Sequence, residues 1–480
     1  MPASLDPFGK LVSLKAATTF REFAAALGYS AQGLAYILYK IPDSAKYTTF
    51  NVPKRSGGVR IIRAPQEHLK DLQKRLAAIL VGCNVEISET QKQLKPIAHG
   101  FVKKMSIITN AWPHKNRRFV LNTDLENFFP SINFGRVRGY FMKNRDYALS
   151  ERVATYIAQI ACFQGELPQG SPCSPVISNM ITHPLDVRLV RLAKSVRCTY
   201  SRYADDLTFS TNTRIFPTQL AEEVAGSPGT WVLGTLLADN ITRAGFAINH
   251  TKTRMQVRTN QQIVTGLTVN AKVNIQASYY RAARQMCHSI FTKGTYHRPQ
   301  KPTALGSVAS TPVLEKSVSY LEGLMSHIHH VKHTSDVKSG RLQEAKETKN
   351  NKVIYPAHRT LYKRLLYFKH FVILEEPLVV CEGKTDNIYL RSALKSFAGS
   401  GLYPELAELD GSSLKSKIRF LKGSRVEHDI LQLSGGSSNI AEFVGRYHGS
   451  VARYTYKPMN YRVIVLVDND SGASPVFSAT

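Results

Sequence analysis

The chain has 480 residues, 43% of them hydrophobic and 20% charged, so it can bury ordinary cores in roughly two to four domains and is no disordered chain. Sixty-three Lys and Arg face 35 Asp and Glu, a formal net charge of +28. Self-repulsion of that size opposes folding, so the excess points to a polyanionic partner, and nucleic acid fits better than a membrane.

MPASLDPFGK opens without a basic stretch leading into an apolar core, so no secretory signal is expected. No apolar run reaches the roughly 20 residues of a spanning helix. Residues 1–50 carry a helical pattern in REFAAALGYSAQGLAYILY. Lys54 to Arg60, with Gly57-Gly58, reads as a hairpin turn between two strands. Leu69–Leu80 is an amphipathic helix. Arg118–Leu121 is a β-run leading into Asp124, Ser150–Phe163 is helical, and Pro168 to Pro175 is a Gly/Pro/Ser loop feeding another helix. Cys198–Tyr203 and Leu207–Ser210 are short strands around Asp205-Asp206. From Ser278 the pattern is helical to about residue 370, with loops or solvated helix ends expected at 299–312 and 331–352. Beyond residue 376 the texture is α/β: Pro377–Cys381 is one short apolar strand and Val463–Val467 a second, stronger one. Cys83, Cys162, Cys173, Cys198, Cys287 and Cys381 form no CxxC pair, which speaks for reduced cytosolic thiols and against a zinc knuckle or disulfide scaffold.

The chemistry concentrates in three acids. Asp124 ends a strand in LNTDLENFFPSI, and Asp205 and Asp206 sit in YADDL at a hairpin tip. Adjacent carboxylates between apolar strands repel one another unless a cation neutralises them. A third carboxylate from a neighbouring strand completes a site for two hard cations, which would activate a hydroxyl and stabilise a pyrophosphate leaving group. An isolated Asp-Asp is usually a solvated turn. Here it follows the strand-borne Asp124 and the PQGSPCSP loop, in the order of a polymerase palm.

In this set of segments the chain resembles the reverse transcriptases, which implies an α+β right-hand fold of fingers, palm and thumb and two Mg²⁺ held by Asp124, Asp205 and Asp206. The resemblance makes Gln169, beside Gly170, the residue that packs on the nascent base pair. It makes Phe129 a steric gate that crowds a ribose 2′-OH; the alternative is a core Phe. Tyr203 joins the substrate-binding set. Lys252 in NHTKT matches a lysine that protonates the leaving pyrophosphate. Arg60 and Arg63 fall where the family uses basic residues on the triphosphate, Arg60 being the better candidate and plain surface charge the alternative. Two segments narrow the family. NAWPH (Asn110 to His114) has the NAxxH form, and Val264-Thr265-Gly266 the VTG form, of retron reverse transcriptases. That resemblance covers roughly residues 20–370. It implies a bacterial, cytoplasmic enzyme that takes dNTPs and its own structured non-coding RNA. The enzyme primes from the 2′-OH of a guanosine and makes branched, RNA-linked single-stranded DNA. Asn110, His114, Val264, Thr265 and Gly266 become RNA contacts. Arg281 and Arg284, with His288, Lys293, Tyr279 and Tyr280, form a basic thumb helix suited to RNA; an ordinary solvated basic face is the alternative.

VVCEGKTD and VIVLVDNDSG place Glu382-Gly383, and later Asp468 and Asp470, each just after an apolar strand. This pattern resembles the Toprim domain of topoisomerases, primases and certain nucleases, and implies a separate Mg²⁺ on Glu382, Asp468 and Asp470. Asp386 is read as a cap of the following helix. The sequence ends soon after Asp470, so this domain is expected to be truncated. The boundaries expected are 1–274 for fingers and palm, 275–372 for the thumb and 373–480 for the Toprim-like domain. The fusion implies an effector nuclease in anti-phage defence. An intron-like reverse transcriptase and an RNA-binding scaffold that restrains the Toprim region remain as alternatives, and the oligomeric state stays open.

Overall fold

The computed structural model describes residues 9–54, 58–91, 96–299, 312–340, 346–347, 353–383, 385–433, 437–458, 461–469 and 473–478. Within it the chain divides into two compact units, the first ending at Asn274 and the second opening at Ile275.

In the first unit short helices occupy residues 10–46, and strands β1 (Tyr47–Pro53) and β2 (Val59–Pro65) then pair antiparallel. The helix predicted at Leu69–Leu80 runs from Glu67 to Thr90. Leu69, Leu72, Leu76, Ile79, Leu80 and Cys83 are buried, so the apolar stripe carries on past Leu80. The sheet that positions the site is antiparallel and centred on β3 (Phe119–Glu126). On one side β3 pairs with β5 (Asp206–Thr211), which pairs in turn with β4 (Thr199–Tyr203). On its other side β3 pairs with Ala247–Ile248 and Arg254–Val257.

Register sorts these side chains onto two faces, because residues directly opposite in an antiparallel pair share a face. Leu121 lies opposite Phe209, and Thr123 opposite Leu207. This face packs into the main core with the helices Glu67–Thr90, Glu151–Ala161 and Ser174–Ser195. Val120 opposite Ser210, Asn122 opposite Thr208 and Asp124 opposite Asp206 make the other face. Because both faces are covered, all of β5 after Asp206 is buried.

Arg202, in β4, shares the helix-covered face with Leu207. It is fully buried and forms a fork on Asp186 of helix Ser174–Ser195, Nε to Oδ1 at 2.8 Å and Nη2 to Oδ2 at 2.7 Å. Its Nη1 donates to Asn179 Oδ1 and to the carbonyl of Ala204, both at 3.0 Å. Tyr200 Oη donates to the same Asp186 at 2.8 Å. The guanidinium thus fastens the acidic turn to a core helix.

The second unit opens with helices Ala277–Lys293, Ser319–Lys338 and Ala357–Tyr367. The loop expected from residue 331 starts later: Val331 and Ser335 are buried on the inner side of the second helix, which carries it to Lys338. Phe291 packs on Phe368 and Tyr454, and Tyr454 Oη donates to the Arg364 carbonyl at 2.7 Å. The segments 275–372 and 373–480, read above as separate domains, therefore share one unit. In the latter, Leu378–Cys381 lies between Arg419–Phe420 and Val463–Leu466, all parallel. The strand expected to be the stronger, Val463–Leu466, is an edge of this described sheet, with Ile464 and Leu466 exposed.

Truncating Asp186 to Ala leaves the buried Arg202 charge unpaired. Denaturant unfolding should then show a loss of about 3–5 kcal/mol, with a smaller loss for Asp186→Asn.

Candidate active site

β3 ends where β4 and β5 turn, and this convergence gathers the acids. Asp124 lies directly across from Asp206, and the Leu125 N–H donates to the Asp205 carbonyl at 3.0 Å. The turn between β4 and β5 holds the non-glycine Ala204 at φ 56°, a left-handed conformation that needs support. Arg202 supplies part of that support. Gly100 supplies another part by close approach: a Cβ there would meet the Ala204 nitrogen at 2.6 Å. Asn179 Nδ2 holds the Gly100 carbonyl at 2.9 Å.

Lys252 follows the Ala247–Ile248 strand, and its Nζ lies 2.9 Å from Asp124 Oδ2. The Asn249 N–H donates to the Asp124 carbonyl at 2.8 Å. Burial, then the charge of Asp124, raises the Asp205 carboxyl above its ordinary range. Burial, followed by Asp205 and Asp124, lifts Asp206 to about 7. For Lys252 burial pulls downward, but the hydrogen bond and charge of Asp124, with Asp205 and Asp206 beyond, hold its pKa above normal. The site carries more negative charge than one ammonium balances. Among the described residues no three metal-type side chains already close around a single point. The donor set nevertheless fits a hard divalent cation: three carboxylates, two of them driven toward their neutral forms by burial and then by the neighbouring carboxylates.

The PQG loop lies against β2. The Arg63 N–H donates to the Gln169 carbonyl at 2.8 Å. Gly170 has φ 118°, and a Cβ there would meet the Arg63 carbonyl at 2.8 Å, so only glycine fits. Gln169 Oε1 is buried without a hydrogen-bond partner among the described residues. Arg63 is committed elsewhere: its guanidinium pairs with Glu166 and donates to Gln164 Oε1 at 3.1 Å. That contact corrects its assignment to the triphosphate; Arg60 is exposed on the same strand. Phe129 is half-buried between Phe128 and the exposed Phe101, with ring centroids at 5.3 and 6.2 Å. Tyr203 is half-buried in β4, opposite Asp206.

NAxxH is corrected more fully. Asn110 and His114 are completely buried, so neither presents a surface to RNA. His114 Nδ1 meets Ser210 Oγ at 2.7 Å and its Nε2 meets Ser201 Oγ at 2.8 Å; Asn110 Oδ1 accepts from Ser201 Oγ at 2.8 Å. Burial, with Arg117 next, pushes His114 down to about 3, so it stays neutral and clamps β4 to β5 from the acid-bearing face. VTG joins the same brace. Val264 is fully buried, which corrects its assignment as an RNA contact, and Thr265 Oγ1 donates to the Ile107 carbonyl at 3.1 Å; Gly266 is exposed at the turn. Sequence reasoning missed Arg202, Asp186 and Asn179. The one available signal was a charged residue inside a strand otherwise built for burial.

In the second unit Arg281, Arg284 and His288 are exposed along one side of their helix, opposite the buried Ala283, Met286, Cys287 and Ile290. Glu382 and Asp468 follow adjacent parallel strands, and the Asp468 N–H donates to Glu382 Oε2 at 3.3 Å. Asp386, the first residue of the next helix, accepts from the Gly383 N–H at 2.8 Å, a bond to the loop before the helix; no side-chain cap hydrogen bond is made at the N-cap Thr385. Asp470 lies outside the described residues.

Residues 52–269 match the family described as reverse transcriptase (RNA-dependent DNA polymerase). The retron Mx65 reverse transcriptase of Myxococcus xanthus is 37% identical over 287 residues, 56% of this chain and 62% of that one. The retron Ec86 reverse transcriptase of Escherichia coli is 31% identical over 283 residues, 58% of this chain and 80% of that one. The chain thus spans less than two thirds of the Mx65 protein's length. A telomerase structure from Candida albicans aligns over 70% of this chain and 66% of that chain at 9% identity, with a TM-score of 0.35, a likeness too slight to carry an argument.

The raised Asp206 pKa has a consequence for stability. A carboxyl at about 7 in the fold and at its ordinary 3.8 when unfolded costs nothing below the lower value and its full penalty above the upper one. Asp206 reaches solvent, which screens part of the effect. In EDTA, Asp206→Asn should therefore melt higher than the parent at pH 8, a difference that vanishes below the ordinary carboxyl value of 3.8. Added Mg²⁺ should narrow the difference at pH 8.

Proposed function

Because the chain belongs to the retron reverse transcriptase family, we propose that it is a cytoplasmic RNA-directed DNA polymerase that copies its own structured non-coding RNA from dNTPs. The primer is the 2′-OH of a guanosine in that RNA, and the product is branched, RNA-linked single-stranded DNA. The observation that carries this reading is the pairing of Asp124 with Asp206 across the sheet, Asp205 beside them and Lys252 at 2.9 Å. Asp124, Asp205 and Asp206 would hold Mg²⁺, which when bound supplies charge neutralisation for the attacking hydroxyl and the departing pyrophosphate. Lys252 keeps its proton at Nζ because the acids raise its pKa, and so has one to give as pyrophosphate leaves. Gln169 and the tight Gly170 turn shape the floor for the nascent base pair. Phe129, with one side open, would crowd a ribose 2′-OH, and Arg60 and Tyr203 complete the nucleotide contacts. Gly266 and Thr265, with Arg281 and Arg284, are the residues of the RNA-reading set that reach the surface. No described helix is long and apolar enough to cross a membrane.

For the second unit we propose a Toprim-like effector nuclease with its own Mg²⁺ on Glu382, Asp468 and Asp470, in anti-phage defence. The hydrogen bond joining the ends of two parallel strands at Glu382 and Asp468 favours it. Ligands gather at the carboxyl ends of such strands.

Two variants separate the activities. Asp205→Asn with Asp206→Asn should lower dNTP incorporation by at least a thousandfold while the non-coding RNA still binds. Undiminished synthesis would sink the polymerase reading and leave an RNA-binding scaffold. Glu382→Ala should leave branched-DNA synthesis intact and remove Mg²⁺-dependent cleavage of nucleic acid. Cleavage that survives would show that the Toprim resemblance has marked the wrong residues.

A further inference from the structure

A cavity of about 370 Å³ opens in the second unit, outside everything invoked above. That volume lies within the range of small-ligand sites, about 300–1,000 Å³. Phe420 and Leu421 are buried in its wall, and Leu414 and Ile418 half-buried, which gives it an apolar side. Its charged lining is strongly one-sided: Lys369, Arg391, Arg419 and Lys422 against Glu376.

Not every cation there is available. Lys369 is satisfied by Glu322 at 2.8 Å and Glu427 at 3.6 Å. Arg419 is half-buried and anchored by one nitrogen, its Nη2 donating to the His370 carbonyl at 3.0 Å, while Glu375 and Glu376 act on it only through their charge. Burial holds its pKa below the usual arginine value, and an anion in the cavity would relieve that strain on the charged form. Arg391 and Lys422 are exposed and have no carboxylate partner among the described residues. Once Lys369 is set aside, Arg391, Arg419 and Lys422 line the cavity against Glu376, with Glu375 acting on Arg419 from nearby, a net positive lining that favours an anionic group such as phosphate. Arginine forks bind phosphate oxygens in bidentate fashion and lysine adds a point charge. The apolar side leaves room for a flat, weakly polar group such as a base.

We propose that this cavity binds the phosphate of a nucleotide-sized ligand, with Arg391, Arg419 and Lys422 on the phosphate and the Leu414–Leu421 wall on the base. A free nucleotide and the 5′-phosphorylated end of a DNA strand present that same chemistry.

The test uses the full chain in EDTA, so that metal-dependent binding in the palm does not contribute. Two probes are titrated by fluorescence anisotropy: ribose-labelled ATP, and a labelled DNA decamer with either a 5′-phosphate or a 5′-hydroxyl. Arg391→Glu with Lys422→Glu should weaken binding of at least one phosphorylated probe tenfold or more, with melting temperature and dNTP incorporation unchanged. Arg391→Lys with Lys422→Arg, which keeps the charge, should restore most of it. Loss confined to ATP assigns a free nucleotide, and loss confined to the 5′-phosphorylated decamer assigns a strand end. Equal binding by the charge-reversed variant and the parent would overturn the proposal. So would equal loss for the 5′-phosphate and 5′-hydroxyl decamers with no loss for ATP.

Discussion

The constraint on which the first unit turns is the placement of carboxylates side by side across an antiparallel sheet. Asp124 and Asp206 are cross-strand partners, and Asp205 occupies the adjoining turn. Like charges in that relation push strands apart. The raised pKa values of Asp205 and Asp206 come first from burial and then from this same repulsion. Everything around the trio resists it. Lys252 and Asn249 fix Asp124 from one side, and the strained turn at Ala204 is tied down from the other. A fold that keeps such a cluster at some cost to its stability is holding it for a cation.

The sheet is clamped from both faces, and the two clamps differ in kind. On the helix-covered face the clamp is ionic: Arg202 and Asp186 neutralise each other inside the core, with Asn179 and Tyr200 satisfying further donors and acceptors. On the acid-bearing face it is neutral: His114 bridges Ser201 and Ser210, and its lowered pKa keeps an added positive charge out of the core behind the acids. VTG reaches this second clamp through the hydrogen bond from Thr265 to Ile107, the first residue of the helix that carries Asn110. Most of the surface left to NAxxH and VTG is the turn at Gly266. Any RNA contact made by these two segments would have to fall at that turn, because Asn110, His114 and Val264 are interior.

The second unit follows a different physical plan. Its helical segments share aromatic packing around Phe291, Phe368 and Tyr454. Parallel strands deliver Glu382 and Asp468 to one end of the sheet, while the basic cavity is walled by Arg391 on the helix after Glu382 and by residues 414–422. The acids at the strand ends and the cavity with its basic excess thus occupy different parts of this unit.

Much of this was legible in the sequence. The three palm acids, the PQG loop, Lys252 and the strand ends at Glu382 and Asp468 announce themselves, because acidic and glycine-bearing positions beside apolar strands have few structural uses. Strand positions followed from short-range patterning, which depends on neighbours in the chain. Tertiary structure alone decided which motif residues are walls and which are surfaces. Asn110, His114 and Val264 looked like contacts and are interior, while Arg63 looked free and is bound to Glu166. Arg202 drew no reading from the sequence and is a fully buried cation paired with Asp186. The physical reason is the same each time: a polar side chain's meaning depends on its partner, and these partners lie 16 to 103 residues away along the chain, brought near only when strands and helices pack.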